Sequence, residues 1–161
     1  MPDPRRQRGT TGTASSTGFP LDQVHPADAS AWSKARNGDA LADAFDDAAR
    51  RGLVATCDVV SLELLRSARD QARFARQAEL LRNLPDCPIG AKEVTRSRAV
   101  QAELAFDGHH RGVKPVDLII AAAAETASVP VLHYDHDYDY DLIASVTRHP
   151  VRWLAPRGAL P

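Results

Sequence analysis

The chain has 161 residues, 43% of them hydrophobic, and a formal net charge of -1. That length suits one domain, because splitting it leaves cores too small to stand alone. The composition excludes a disulfide scaffold, a helical membrane span and the bulk positive charge of many nucleic-acid binders; a binder of this kind needs a local basic rim or a partner that supplies charge.

Residues 1–18 are rich in Arg, Thr, Gly, Ser and Pro without apolar periodicity, which predicts a disordered leader or translation from an early start codon. Arg5, Arg6 and Arg8 are followed by no apolar segment, so this is not a secretory signal, and a cytoplasmic location follows by default. The folded domain is expected over 19–161. A first strand is expected between Gly18 and Asp28; Phe19, Leu21 and Val24 are its sizeable apolar residues, and Pro20 and Pro26 remove ladder donors. Ala31 to Arg50 reads as helix, with Leu41, Phe45 and Ala48 on one face and Gly38 marking an interruption or a break into two helices.

Gly52 closes that helix, and Leu53 to Cys57 is a short buried strand. Asp58 is placed to cap a helix running from Val59 to about Asp70, and a further helix follows from Gln71 to Arg82. Pro88-Ile89 is a brief extended piece, Glu93 to Phe106 a helix, and residues 108–112 a loop. Pro115 suits the first turn of the next helix, Val116 to Ala127, which is apolar almost all round and should lie at the centre. Val129 to His133 is a strand, Asp141 to Val146 a short helix, and Val151 to Leu154 a last strand. Short strands alternating with helices predict an α/β fold, a short parallel sheet with helices on both faces. The two cysteines, Cys57 and Cys87, read as buried thiols.

In such sheets ligands bind beyond the carboxyl ends of the strands. Asp28, Glu63 and the acids of Asp135 to Asp137 all follow predicted strands, and Asp117 opens a helix. Each sits in or beside an apolar segment, where an unpartnered carboxylate costs several kcal/mol. A shared hard cation removes that cost, and Mg²⁺ takes such oxygen ligands. The histidines lack the paired spacing of a zinc site. Taken singly, each acid has an ordinary explanation. Asp28 can be a helix cap, Glu63 can pair with Arg66 or Arg69, Asp117 can favour the helix dipole, and the acids of 135–141 can be a solvated loop.

The order Asp28-Ala29-Ser30, Leu62-Glu63-Leu64, Pro115-Val116-Asp117-Leu118-Ile119-Ile120, then His133-Tyr134-Asp135-His136-Asp137-Tyr138 resembles the PIN-domain ribonucleases. It most resembles the VapC toxins of toxin–antitoxin pairs. Ala27 to Arg36, Val54 to Cys57, Leu65 to Arg69 and Pro156-Arg157-Gly158 are similar too, so the likeness covers roughly residues 19 to 161. It implies a three-layer α/β/α PIN-like fold and a Mg²⁺- or Mn²⁺-dependent endoribonuclease. It also implies homodimers and inhibition by a small VapB-like antitoxin whose C-terminal segment fills the groove. Asp28, Glu63 and Asp117 match the family's first three acids. The fourth falls in the 133–141 loop, with Asp137 the best match and Asp135 beside it, both counted with the metal ligands. Ser30 matches the hydroxyl that supports the first aspartate. Arg111 and Lys114 stand, by position and charge, where a basic loop meets the phosphate of an RNA substrate.

Two features depart from the family. The first strand is polar and carries prolines, and Asp22 rivals Asp28 but lacks the following serine. The doubled Tyr-Asp of residues 137–141 resembles a two-residue insertion that puts Asp139 in contention for the fourth role. A degenerate PIN domain that binds RNA or antitoxin without cutting is the alternative function. A phosphotransfer receiver is less well matched, because Lys34, Lys92 and Lys114 are the only lysines and none follows the 129–133 strand.

Overall fold

A computed structural model describes residues 16–161, so the expected leader lies almost wholly outside the described residues. The first element is β1, Ser16–Thr17, and the second β2, His25–Pro26. The strand expected between Gly18 and Asp28 is found as β2, but it is the second strand rather than the first. The chain forms two short strands at different places in the sheet, joined by a turn containing the cis peptide Phe19–Pro20. Arg152 holds that turn by donating to the carbonyls of Gly18 and Pro20, at 2.7 and 3.1 Å.

Pro26 sits inside β2 because alternate residues of a parallel strand face opposite neighbours. The His25 and Ala27 amides donate to Leu53 and Ala55 on one side, and the Asp28 amide donates to Leu132 on the other. Only one donor is forfeited.

Helix α1 spans Ala29–Lys34 and α2 spans Asp39–Arg50, so Gly38, with φ of 95°, marks a true break. Gly52 takes φ of 71°, a left-handed conformation that ends α2 and feeds β3, Val54–Ala55. Then come α3, Asp58–Arg66, and α4, Gln71–Arg82, the latter capped by Asp70. Asp58 is the first helical residue rather than the cap; Cys57 occupies the cap position. Helix α5 is Ala91–Phe106, α6 is Pro115–Ala127, β4 is Val131–His133, α7 is Asp139–Thr147 and β5 is Val151–Trp153.

All strand pairs are parallel. The Ala27–Leu132 bridge joins the two sheet fragments into the order β3-β2-β4-β5-β1. Successive strand residues feed opposite cores: Val131 and Ala55 pack with α3, α5, α6 and α7, whereas Leu132 and Val54 pack with α1 and α2. The α/β/α three-layer arrangement expected from the sequence is thus the observed one. Within it α6 buries Leu118, Ile120 and Ala121 to Ala124, as its apolar circumference requires. Among the described residues no helix is long and apolar enough to cross a membrane.

Candidate metal centre

The carboxyl ends of β2 and β4 and the first turn of α6 meet at one edge of the sheet. Asp28 leaves β2 and caps α1, accepting from the Ala31 amide at 2.9 Å and the Ser30 hydroxyl at 2.7 Å. The capping reading and the site reading of Asp28 are therefore both true. Ser30 Oγ also accepts from the Tyr134 amide at 2.9 Å, which ties the end of β4 to the start of α1.

Beyond β4 the chain folds back on itself. Asp135 accepts from the amides of Asp137 and Asp139, at 3.3 and 3.0 Å. Tyr138 takes a left-handed conformation, φ 65°, as α7 begins. Asp139 is turned fully inward, 0% exposed, while the Asp137 side chain is 69% exposed. One oxygen each of Asp117, Asp135 and Asp139 lie within 4.8 Å of one another. Asp139 accepts from the Lys114 amide through Oδ2, and its buried Oδ1 meets no hydrogen-bond donor among the described residues.

Even with the Lys114 ammonium 3.6–3.9 Å from Asp117, Asp135 and Asp139, the acids are crowded and poorly solvated. Burial, followed by the charges of Asp135 and Glu63, drives the Asp28 carboxyl up to about 7 against the hydrogen bonds of Ser30 and Ala31. Burial, then contact with Asp139 and the charge of Asp28, raises Asp117 well above the carboxylate range. Oxygen ligands of Mg²⁺ sit at about 2.1 Å and so lie within about 4.2 Å of each other, a contraction of under about 1 Å from the observed spread. The donor set is all oxygen, and the orphaned Asp139 Oδ1 supplies an unfilled ligand position. The residues fit a hard divalent ion.

The other expected residues are placed as follows. Glu63 is exposed on α3, close enough to Asp28 to raise its pKa, and forms no ion pair with Arg66 or Arg69 among the described residues. Asp137 is not brought into the group; it pairs with Lys114 at 2.9 Å. Lys114 lies at the rim of the acids, exposed to solvent but within 3.6 Å of Asp135 and Asp139, and Arg111 is exposed on the turn after α5. Asp22 lies exposed beside Arg152, at 3.7 Å.

Tyr140 was not among the residues the sequence suggested. It is 0% exposed and donates to Asp117 Oδ1 at 3.3 Å. Its position on the inward side of α7, one residue past Asp139, was available as a signal only once the helix start was known.

The PIN domain family model matches residues 27–141, a span that opens just before Asp28 and closes just after Tyr140. The chain belongs to the PIN-domain family. Within it, the chain falls among the VapC proteins. It is 42% identical to Ribonuclease VapC18 of Mycobacterium tuberculosis, over 83% of this chain and 96% of that relative. It is 40% identical to Ribonuclease VapC21 of the same organism, over 67% and 78%. Solved structures support the PIN fold. VapBC2 from Rickettsia felis, bound to a promoter DNA fragment, superposes with a TM-score of 0.59 at 14% identity, over 81% of this chain and 97% of that one. A toxin–antitoxin complex from Klebsiella pneumoniae gives 0.56 at 18% identity, over 71% and 90%.

Proposed function

We propose that this PIN-domain chain is a Mg²⁺- or Mn²⁺-dependent endoribonuclease, the toxin of a toxin–antitoxin pair acting in the cytoplasm. The reading is carried by the convergence of Asp117, Asp135 and Asp139, with the buried Asp139 Oδ1 left without a partner. VapC relatives named as ribonucleases support the reaction class. Asp117, Asp135 and Asp139 would hold the ion, with Asp28 completing the set. Bound there, the ion supplies Lewis acidity that activates water and neutralises phosphoryl charge.

The chain's own residues do the rest. Ser30 holds the Asp28 carboxylate in place. Tyr140 fixes the orientation of Asp117 from beneath. Glu63, exposed and near enough for its charge to act on Asp28, would orient the attacking water and accept its proton. Arg111 meets substrate phosphate from the rim. The RNA is single-stranded or looped, because an A-form duplex presents a major groove too narrow to enter.

The alternative, a PIN domain that binds without cutting, rests on the polar first strand. That motive weakens with β2 paired on both sides and Asp28 doubly hydrogen-bonded. The antitoxin fits a groove of about 1290 Å³ between α1–α2 and α3–α4. Trp32, Leu64, Leu80 and Leu81 line it, Arg36, Arg50 and Arg76 share its rim with Asp43, Asp46 and Glu79, and Glu63 also borders it. An amphipathic segment with an apolar face and charges of both signs matches that surface. A homodimer is the working unit, and Phe106, 92% exposed at the end of α5, is apolar surface a second copy would cover.

The test is cleavage of a pooled single-stranded RNA by the purified chain with Mg²⁺, with Mn²⁺ and with EDTA. The expected result is cleavage with either ion that stops in EDTA. Absence of cleavage under every condition, or cleavage indifferent to EDTA, overturns the proposal.

A further inference from the structure

Lys114 is the cation that the acid group already encloses. Its Nζ lies 2.9 Å from Asp137, 3.6 Å from Asp135, 3.6 Å from Asp139 and 3.9 Å from Asp117. Three of those carboxylates are the ones whose oxygens converge within 4.8 Å. The ammonium therefore competes for the oxygens a divalent ion needs. Two cations drawn to the same buried oxygens repel one another strongly.

The lysine is anchored at one end and loose at the other. Its backbone caps α6, and its amide donates to Asp139 Oδ2 at 2.8 Å. The side chain is 55% exposed, so the ammonium has a path to water. Its shortest contact is to Asp137, itself 69% exposed and outside the converging group. A compact ammonium on a flexible four-carbon stem suits such an exchange.

We propose that Lys114 is a tethered placeholder cation. Its ammonium neutralises Asp117, Asp135 and Asp139 in the metal-free protein, yields them to the divalent ion, and stays paired with Asp137 at the solvent edge. The inference rests on reading the site as a divalent-metal centre. It accounts for two facts together: a half-exposed lysine whose ammonium sits over the three converging acids, and an aspartate held outside the group it is adjacent to. It also means that metal affinity is set by competition. Removing the ammonium then tightens metal binding, whereas a lysine that only clamps the acids in place would weaken it on removal.

The test is Mn²⁺ binding, read from the electron paramagnetic resonance of the free ion, for wild type, Lys114→Met, Lys114→Arg and Asp117→Asn. Lys114→Met should bind at least about 10-fold more tightly than wild type, and Lys114→Arg, which keeps the charge, should stay within about 3-fold. If wild type binds no Mn²⁺, the metal-centre reading itself fails. If wild type binds, Asp117→Asn does not, and Lys114→Met binds no more tightly than wild type, the placeholder alone fails. A second measurement uses the wild-type chain, which has only Lys34, Lys92 and Lys114 to resolve. With ¹³C-lysine labelling, Mg²⁺ should sharpen the Lys114 Cε signal and move it toward that of a free lysine. A signal unchanged at saturating Mg²⁺ overturns the proposal even if Lys114→Met does not fold.

Discussion

Tyr140 and Asp117 are joined by a buried hydrogen bond, hydroxyl to carboxylate oxygen, at 3.3 Å. The tyrosine lies on α7 and the aspartate on α6, so the bond fixes one helix against the other where the acids meet. Tyr140→Phe keeps the ring, which packs on His133 at 4.9 Å, and deletes only the donor. The expected outcome is a stability loss of about 1 kcal/mol and a fall of about 10-fold in Mg²⁺-dependent cleavage. Thermal denaturation and a cleavage time course check both, and an unaltered rate would remove Tyr140 from the site.

Asp117→Asn should act in opposite directions on stability and activity. The carboxylate is buried beside Asp139 and Asp28, and its raised pKa records the cost of ionising it there. An amide of the same shape relieves that repulsion and loses a ligand. Metal-free Asp117→Asn should melt several degrees above wild type, by a gain on the order of 1 kcal/mol, and cleave no RNA. A lower melting temperature together with retained cleavage would contradict the assignment.

The sequence made the helices legible wherever a local signal governs them. Asp70 caps α4, Pro115 opens α6 and Gly52 releases the chain into β3, each an effect of one or two residues on the backbone around them. Asp28 and Asp117 were legible because a carboxylate inside apolar sequence needs a partner. Which of Asp135, Asp137 and Asp139 turns inward was not legible. That choice depends on the left-handed Tyr138 and on the docking of α7 against α5 and α6, which are long-range facts. Ser16–Thr17 lies in sequence expected to be leader, and its pairing with β5 comes from an edge 136 residues away, Ser16 to Arg152, that no local pattern reports.

Metal-free protein should be more stable at pH 6.5 than at pH 8.5. The folded state holds the Asp28 proton up to about 7, and Asp117 is raised likewise, whereas an unfolded aspartate releases it near 4. A raised acid pKa means the folded state binds the proton more tightly, so stability falls as pH rises through the folded value. Buried His133, held neutral down to about 3 by burial and then by Arg157, has the opposite sign. It costs stability only as pH falls below about 6.5, where the unfolded imidazole charges. Saturating Mg²⁺ should shrink the loss at pH 8.5, because the ion binds the ionised form. Melting temperatures at both values, with and without Mg²⁺, test this; greater metal-free stability at pH 8.5 would reverse the sign.

The acids of the 135–139 loop can be separated by amide substitution. Asp135 accepts two loop amides and contributes to the converging group, so Asp135→Asn disturbs both the turn and the ligand set. Asp139 is fully buried, binds the Lys114 amide and leaves Oδ1 unpaired, so Asp139→Asn removes a ligand where water cannot replace it. Asp137 is exposed and pairs with the Lys114 ammonium at the outer edge of the site. The expected order of damage to Mg²⁺-dependent cleavage is Asp139→Asn and Asp135→Asn, each by about 100-fold or more, then Asp137→Asn by less than about 10-fold. Mn²⁺ affinity should follow the same order, since the first two lose oxygen ligands and the third loses only a contact to the lysine. If Asp137→Asn were the most damaging of the three, the exposed carboxylate would have to swing inward when the ion binds, and Tyr138 would be the hinge about which it turns.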